Sequence, residues 1–504
     1  MICISILARS NEEMLQLMHD AALEADMLEL RIDGIPDPDL PRLLAARTRP
    51  VIVTNRPAEE GGLYAGTEAR RLQLLEEAAN LGAHYVDIEL SAARRFTGKG
   101  AKRIVSFHDF RTMPADLSAI RRQLIQAGAD VAKIALMAND IMDNLPLFNL
   151  LRDAAREDKI PTIAICMGEA GLISRVLSPK FGGFLTFAAP TVSGHLRPSG
   201  PGQISVKRLR EEFRYHKITR DTAVYGVIGN PIGHSLSPAI HNAAYEETGV
   251  DAVYVPFLVK DVRPFVPAFR EIGVKGFSVT IPHKEAALHA ADEVDEIARH
   301  IGAANTLYER DGKLRATNTD CEAAVGALEK GLASQAGAPQ GSLLLNKRVV
   351  VIGAGGAARA MAFGLVERGA NILIVNRTRE RGERLAREAN QIGPGSCRSE
   401  GPEALAGAEF DILCNLTSIG MHPDVEATPV PREILRPQHV VFDAVYNPLE
   451  TRLLREAREA GCTTVPGLEW FIGQAAAQFE LMTGRPAPQE VMRRVATARL
   501  QETG

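Results

Sequence analysis

Short runs of apolar, β-branched residues alternate with amphipathic stretches along the first 215 residues. The runs are ICISIL (2–7), MLELRI (27–32), PVIVTN (50–55), HYVDIEL (84–90), RIVSF (103–107), DVAKIAL (130–136), IPTIAIC (160–166) and GFLTFAA (183–189). Each is four to eight residues long and bounded by turn formers or charge, which predicts a strand. Between most of them lie segments with apolar residues at helical spacing, among them NEEMLQLMHDAALEA, TEARRLQLLEEAANL and DLSAIRRQLIQAGA. Strands alternating with helices imply a parallel sheet, and eight is the number at which such a sheet closes into a (βα)8 barrel. An open doubly wound sheet is the alternative, but no glycine-rich phosphate loop occurs in this half.

The pattern changes after ISVKRLREEFRYH. KITRDTA (217–223) is polar, and a new strand, VYGVIG, follows. Further on, KRVVVIGAGGAARAMAFGLVERG (347–369) reads as strand, glycine turn and helix, with a second strand, NILIV (371–375), on schedule. The polar stretch LASQAGAPQGS (332–342) leads into that unit. The late helical pattern GLEWFIGQAAAQFELMTG returns to the lobe before it. The expected organisation is an α/β chain of three units: a barrel over 1–216, a substrate lobe over 223–330 plus 466–504, and a Rossmann-type nucleotide lobe over 343–465.

Composition narrows the function classes. The 504 residues are 45% apolar and 24% charged with a formal net charge of −4, the profile of a soluble globular chain. No long basic stripe marks a nucleic-acid partner, and no run of about 18 uncharged apolar residues marks a membrane span. The N-terminus lacks a basic region followed by a cleavable apolar segment, so the expected location is cytoplasmic. Six scattered cysteines without CxxC spacing fit a reduced protein and no metal site. Only 13 of the 58 basic residues are lysines, so a lysine inside an apolar strand stands out.

Lys133 is such a residue. Side chains two apart on a strand share a face, which groups Glu29 with Arg31, Asp87 with Glu89, and Lys133 with Val131 and Ala135. Arg56 and His108 are placed just after the third and fifth strands, at the end where barrel chemistry sits. One reading is an internal ion-pair network that only fixes packing. The other is an amine among apolar walls and near an arginine, its pKa depressed, nucleophilic toward a ketone, with His108 as the nearby base.

Several motifs of this half, ELRID, TNRPAEEGG, SFHDF, AKIA, GLISRVL, FGGFLTFAAPT and PSGPGQIS, resemble type I 3-dehydroquinate dehydratase. The resemblance implies that Lys133 forms an imine with the substrate ketone. It makes His108 the proton shuttle and Glu60 its orienting partner. Glu29 and Arg56 would hold ring hydroxyls with Arg31 beside them, and Arg175, Ser199 and Gln203 would bind the carboxylate and close a lid. Gly200 departs from the alanine usual in that lid.

In the second half, GNPIGHSLSPAIHN (229–242) places Ser235 and Ser237 before a helix, as helix caps or as anion ligands. FSVTIPHKEAA sets Thr280 and Lys284 across a strand-to-helix turn, with Pro282 where the helix begins, and TNTDC supplies Asp320. Surface ion pairing is the plain reading of such a lysine and aspartate, and a proton-relay pair beside a carbonyl is the sharper one. In the nucleotide motif, Gly353 allows the tight turn, Gly355 lets the backbone approach a pyrophosphate, and Ala358 takes the packing position. No acidic residue ends the second strand. Arg377 and Arg381 offer charge for a 2′-phosphate instead, so the expected cofactor is NADP(H).

The motifs GNPIGHSLSP, FSVTIPHK, GAANTL, TNTD, GAGGAARA, NRT, NLTSIGM, VYNP and GLEWFIGQAAAQ resemble shikimate dehydrogenase over 223–504. The resemblance makes Lys284 and Asp320 the catalytic pair and gives Ser235 and Ser237 to the carboxylate. Thr280, Asn305, Gln474 and Gln478 go to ring hydroxyls, with Tyr446 as a further contact. Gly353, Ala354, Gly355, Gly356, Ala357, Asn376, Arg377, Thr378, Arg381 and Gly467 go to the cofactor. Ala316, Ala324, Leu416 and Trp470 depart from that family's usual residues. The joint expectation is a bifunctional enzyme of the shikimate pathway. It would act on 3-dehydroquinate, 3-dehydroshikimate and shikimate, with no nucleic-acid or membrane partner. The alternatives are a non-catalytic ligand sensor, disfavoured by the presence of both lysines, His108 and Asp320, and a second half that oxidises quinate with NAD.

Overall fold

The computed structural model describes residues 1–157, 159–192, 195–334 and 343–503. The first sheet contains β1 (Ile2–Leu7), β2 (Met27–Arg31), β3 (Val51–Thr54), β4 (Tyr85–Glu89), β5 (Lys102–Asp109), β6 (Val131–Met137), β7 (Thr162–Met167) and β8 (Thr186–Ala188). Their spatial order is β7-β6-β5-β4-β3-β2-β1-β8, and every ladder is parallel. The Phe184 N–H donates to the Thr162 carbonyl at 2.9 Å, which draws the β8 end to the start of β7 and nearly closes the barrel. The outer layer is α1 (Asn11–Ala21), α2 (Leu40–Ala45), α3 (Glu68–Asn80), α4 (Leu117–Gln126), α5 (Asn144–Glu157) and α6 (Leu172–Phe181). A 3-10 turn at Ala93–Arg95 replaces the helix between β4 and β5.

The lumen is layered by the period-two alternation of its strands. Its floor is apolar, with Cys3, Met27, Ile52, Ile104, Val131 and Ile163 in one cluster. One pleat higher on the same faces stand Ser5, Glu29, Thr54, Asp87, Ser106 and Lys133, all buried. Buried charges persist only when paired or used, so this layer marks the functional end of the barrel. A short hairpin, β9 (Thr191–Val192) and β10 (His195–Leu196), leads to the segment that crosses the barrel mouth.

The second half has two sheets. The first holds β11 (Ala223–Gly229), β12 (Ala252–Leu258), β13 (Val274–Val279), β14 (Glu293–Val294), β15 (Thr306–Arg310) and β16 (Lys313–Thr317) in the order β12-β11-β13-β15-β16-β14. With it pack α7 (Ser237–Thr248), α8 (Val262–Glu271), α9 (Lys284–Leu288) and α10 (Glu296–Ile301). Next comes α11 (Thr319–Ala333), which leads toward the other lobe. That lobe contains β17 (Arg348–Ile352), β18 (Asn371–Val375), β19 (Ser396–Glu400), β20 (Ile412–Asn415), β21 (Val440–Asp443) and β22 (Thr463–Pro466). Their order, β19-β18-β17-β20-β21-β22, is that of a dinucleotide-binding sheet. Its helices are α12 (Gly356–Glu367), α13 (Arg379–Ala389) and α14 (Arg452–Glu459). The chain then continues through α15 (Gly467–Thr483) and α16 (Gln489–Thr503). The Tyr225 hydroxyl donates to the Met482 carbonyl at 2.8 Å to fix α15 against the first lobe. Of the polar stretch 332–342, only 332–334 lies among the described residues.

Barrel and second half share one apolar core cluster, and polar bonds tie its margin. Lys180 Nζ donates to the carbonyls of Arg220 and Thr222 at 2.9 and 2.7 Å, and Lys260 Nζ donates to the Asn139 carbonyl at 2.6 Å. All six cysteines are buried and unpaired. No described helix is long and apolar enough to cross a membrane.

Two candidate active sites

The barrel mouth holds a dense charge network. Lys133 projects from β6 with Nζ 2.6 Å from Asp87 Oδ2 and 3.6 Å from Glu29 Oε1, and it lies over the Phe187 ring at 4.5 Å. The apolar walls and the arginine expected around the amine are present, in Ile163, Ile165 and Phe187 and in Arg56 across the shared Asp87, but its direct partners are carboxylates, which the expectation lacked. Asp87 also accepts from Arg56 Nη2 at 2.7 Å and from the Ser106 hydroxyl at 2.6 Å. Burial alone would raise the Asp87 pKa, but the Arg56 and Lys133 cations hold it far below the usual carboxylate range. Arg56 reaches Glu89 at 2.6 Å, and Arg71 braces Glu89 from behind at 2.7 Å. Glu29 accepts from the hydroxyls of Thr54 and Ser5. The Arg31 fork is bound on both prongs by Asp33 at 2.8 and 2.7 Å.

His108 belongs to the last turn of β5 itself rather than following it. Its Nδ1 lies 2.9 Å from Glu60 Oε2, on the 3-10 turn Ala58–Glu60 that ends at left-handed Gly61. Burial lifts the Glu60 carboxyl to about 7. Burial, and then the Arg56 and Lys133 charges, hold the imidazole pKa well below its ordinary value. His108 is therefore neutral near pH 7, as a proton acceptor must be.

Across the mouth, Arg175 is 2% exposed and among the described residues meets only carbonyls, those of Phe187 at 3.3 Å and Pro201 at 3.0 Å. Its Nε has no partner, and burial draws its pKa down to about 10. A buried guanidinium without a carboxylate is a socket for an anionic ligand. The Ser199 N–H donates to Gln203 Oε1 at 2.8 Å, and Gln203 Nε2 donates back to the Ser199 hydroxyl at 3.1 Å, bracing the segment over the cavity. The nine expected residues of this half, Glu29, Arg31, Arg56, Glu60, His108, Lys133, Arg175, Ser199 and Gln203, line one cavity of about 110 Å³. Sequence reading left Asp87, Ser106 and Asp33 out of the site. The signal for the first two was their alternation with Glu89 and His108.

The second site is a cleft of about 360 Å³ between the two later lobes. Lys284 opens α9 after the cap residue His283, so the helix begins two residues beyond Pro282 rather than at it. Its Nζ is 2.6 Å from Asp320 Oδ2. Asp320 stands in the first turn of α11, where unsatisfied N–H groups favour a carboxylate. The Trp470 indole N–H donates to the Asp320 carbonyl at 2.9 Å, so the lone tryptophan is pinned beside the pair. Ser237 opens α7 without capping it, while Ser235 Oγ accepts the Ser237 N–H at 3.3 Å. The capping alternative thus fails for Ser237, whose hydroxyl faces the cleft. Thr280, Asn305, Tyr446, Gln474 and Gln478 line the same cleft, as does Ser278, which sequence reading passed over although it lies on β13 two residues before Thr280.

At the end of β17, Gly353 adopts φ +109°, and a Cβ there would press on the Leu416 carbonyl oxygen at 3.2 Å. A Cβ at Gly355 or Gly356 would meet nothing within 4 Å, so the turn before α12 is an open cradle. No side chain caps α12, which leaves its first N–H groups for an anion. Ala354 and Ala357 belong to the same turn. Beyond β18, Asn376 Nδ2 donates to the Thr378 carbonyl at 2.7 Å. Thr378, Arg377 and Arg381 are exposed, and neither arginine pairs with an acid among the described residues. Gly467 starts α15 where a Cβ would lie 2.5 Å from the Ala444 carbonyl. These features fit a dinucleotide carrying a 2′-phosphate.

A third cavity, of about 320 Å³, lies on the seam between the halves. It shares Gln203 with the barrel site and Ile232 with the interlobe cleft.

Family models match along the chain: type I 3-dehydroquinase over residues 2–220 and the shikimate dehydrogenase substrate-binding domain over 227–307. Shikimate/quinate 5-dehydrogenase matches 337–413, and the shikimate 5'-dehydrogenase C-terminal domain matches 467–497. The bifunctional 3-dehydroquinate dehydratase/shikimate dehydrogenase, chloroplastic, of Arabidopsis thaliana is 42% identical over 97% of this chain and 83% of its own. The NADP(+) shikimate dehydrogenase of Moorella thermoacetica is 40% identical over 55% of this chain and 94% of its own. Among solved structures, a shikimate dehydrogenase in complex with NADP+ superimposes with a TM-score of 0.52. It is 39% identical, covering 56% of this chain and 97% of its own.

Proposed function

The chain belongs to the bifunctional 3-dehydroquinate dehydratase/shikimate dehydrogenase family, and from that premise we propose which residues carry each of its two reactions. It dehydrates 3-dehydroquinate to 3-dehydroshikimate in the barrel and reduces that ketone to shikimate in the second half, with NADP(H) as cofactor. One observation carries the assignment of residues: two separate clefts each hold a lysine nitrogen 2.6 Å from an aspartate oxygen.

In the barrel, Lys133 adds to the substrate ketone in its free-amine form, and Asp87, 2.6 Å away, holds the ammonium form in place between turnovers. Loss of water gives a protonated imine. His108 removes the adjacent C2 proton, and the electron pair moves into the imine to form an enamine. The enamine then expels the C1 hydroxyl as His108 returns the proton to it. Hydrolysis of the imine releases 3-dehydroshikimate and restores the lysine. The net change is loss of one water. Glu60 orients His108. Glu29, Arg56 and Arg31 face the ring hydroxyls, and Arg175 with Ser199 and Gln203 holds the carboxylate under the lid.

In the cleft, Ser235 and Ser237 hold the carboxylate, and Thr280, Asn305, Tyr446, Gln474 and Gln478 surround the ring. When bound, NADP(H) supplies the hydride that reduces the ring ketone. Lys284 donates a proton to the ketone oxygen as it gains charge, and Asp320 keeps that ammonium in place. Gly353, Ala354, Gly355, Gly356, Ala357 and Gly467 cradle the dinucleotide, while Asn376, Arg377, Thr378 and Arg381 hold its 2′-phosphate. We divide the chain into 1–216, 223–330 with 466–504, and 343–465. The six buried, unpaired cysteines support a reducing compartment such as the cytoplasm.

The test supplies 3-dehydroquinate and NADPH together and follows cofactor oxidation. The wild-type chain consumes NADPH with either intermediate, whereas Lys133→Ala consumes it only with 3-dehydroshikimate. Borohydride added with 3-dehydroquinate leaves a covalent adduct on Lys133, and an unmodified Lys133 peptide refutes the imine step.

A further inference from the structure

Tyr254 lies on β12 behind the wall of the interlobe cleft, fully buried, and the chemistry above makes no use of it. Its ring stacks on His241 at 4.3 Å with an interplanar angle of 4°, and that imidazole is neutral because burial draws its pKa to about 3. Its backbone is clamped by the Asn242 carboxamide through bonds of 2.8 and 2.9 Å. A phenol ring fixed on both counts holds its hydroxyl at a defined point. That point is 2.6 Å from Ser278 Oγ, which lies 2.7 Å from Gln478 Oε1. Gln478 Nε2 completes the chain by donating to the Asn305 carbonyl at 3.2 Å.

Proton count fixes the direction of every bond in this chain. The Asn305 carbonyl also accepts the Val279 N–H at 2.7 Å, so it is an acceptor set by the backbone. The Gln478 nitrogen must face it, and Gln478 Oε1 must then face Ser278. Ser278 has one hydrogen, which goes to Gln478, so the Tyr254 hydroxyl is the donor to Ser278. With its oxygen turned to Ser278 and one N–H engaged, Gln478 has its remaining N–H for the cleft, so the amide is oriented to meet a ligand as a donor.

We propose that Tyr254 is a positioning residue of the shikimate pocket, acting through Ser278 to hold the Gln478 carboxamide as a one-hydrogen donor to a ring oxygen of the substrate. The proposal rests on the reading of the cleft as the shikimate pocket with Gln478 as a ligand contact. Without the phenolic hydrogen, the Ser278 hydroxyl is free to rotate, and Gln478 loses its fixed donor geometry.

The experiment measures the KM for shikimate at saturating NADP+ in a cycle of Tyr254→Phe, Gln478→Ala and the double variant, with dehydratase activity of the same chain as the folding control. The loss of one buried hydrogen bond predicts a KM raised about twofold to tenfold in Tyr254→Phe, with kcat little changed. Dehydratase activity stays at the wild-type level. In the Gln478→Ala background the Tyr254 substitution has no further effect on KM, because the group it positions is gone. Ser278→Ala cuts the same chain and is expected to match Tyr254→Phe without adding to it. It decides the question if the tyrosine variant lacks a folded cleft. An unchanged KM in Tyr254→Phe, or an undiminished effect in the Gln478→Ala background, overturns the positioning role. An unchanged KM in Gln478→Ala itself overturns the assignment of Gln478 as a ligand contact, and the proposal with it.

Discussion

Replacing Glu60 with glutamine gives two linked outcomes of opposite sign, one in activity and one in stability. The carboxyl is 2.9 Å from His108 Nδ1, its side chain is 23% exposed, and burial lifts its pKa from 4.5 to about 7. The His108 pKa lies well below 6.5, so the imidazole is already neutral where Glu60 titrates. The wild-type kcat/KM for dehydration therefore rises with pH through about 7 as Glu60 becomes a carboxylate able to orient the ring. In Glu60→Gln this limb disappears and the rate falls about 10²-fold, the low end of what a positioned acid–base group contributes. The folded pKa of Glu60 is raised, so its contribution to stability is fully present below about 4.5 and lost as pH rises through about 7. At about 1.4 kcal/mol per unit, the difference amounts to about 3 kcal/mol against folding at pH 8, which glutamine does not incur. Glu60→Gln is thus expected to be less active yet to gain stability relative to wild type between pH 5 and 8. The kinetics are read from the absorbance of the enone product between pH 5 and 9. Stability is read from hydrogen exchange of the β3–β5 amides at the two ends of that range. A limb near pH 7 that persists in Glu60→Gln refutes the assignment to Glu60, and a stability difference independent of pH refutes its raised pKa.

Asp320→Asn removes the carboxylate 2.6 Å from Lys284, and kcat of the dehydrogenase should fall by about 10²–10⁴ while dehydration is unaffected, as separate assays of each half will report. Arg377→Ala and Arg381→Ala each delete a charged contact to a 2′-phosphate, so the KM for NADPH rises about tenfold to a hundredfold while that for NADH does not. Equal effects on both cofactors would contradict the phosphate role. Gly200→Ala is expected to tighten the dehydratase. A Cβ there meets nothing within 4 Å and the residue is outside the left-handed region, so the methyl restricts the free loop by about 0.4–1 kcal/mol. That corresponds to a KM for 3-dehydroquinate lower by about twofold to fivefold, and an unchanged or higher value would show that loop ordering does not limit binding.

Much of this molecule was legible in its sequence because the signals are local. Period-two runs and helical spacing depend on neighbouring residues, and they fixed eight barrel strands and the dinucleotide turn. The left-handed turn at Gly353, with φ +109°, is a backbone requirement that glycine meets directly. The conspicuous lysine at 133 stood out for the same reason, as a charge in an apolar strand. What the sequence alone determined was therefore the elements and the residues that break their patterns.

The tertiary structure decided which of those residues meet. Lys133 and Asp87 are 46 positions apart and become an ion pair only because β4 and β6 flank β5 in the curved, nearly closed sheet. That pairing sets carboxylates beside the amine within its apolar walls. Ser278 and Gln478 are 200 positions apart, and the return of α15 to the first lobe brings them within a hydrogen bond. Distances of this kind depend on how sheets close and helices cross, which is a property of the whole packed core. No window of sequence contains it, since each partner alone reads as an ordinary polar residue.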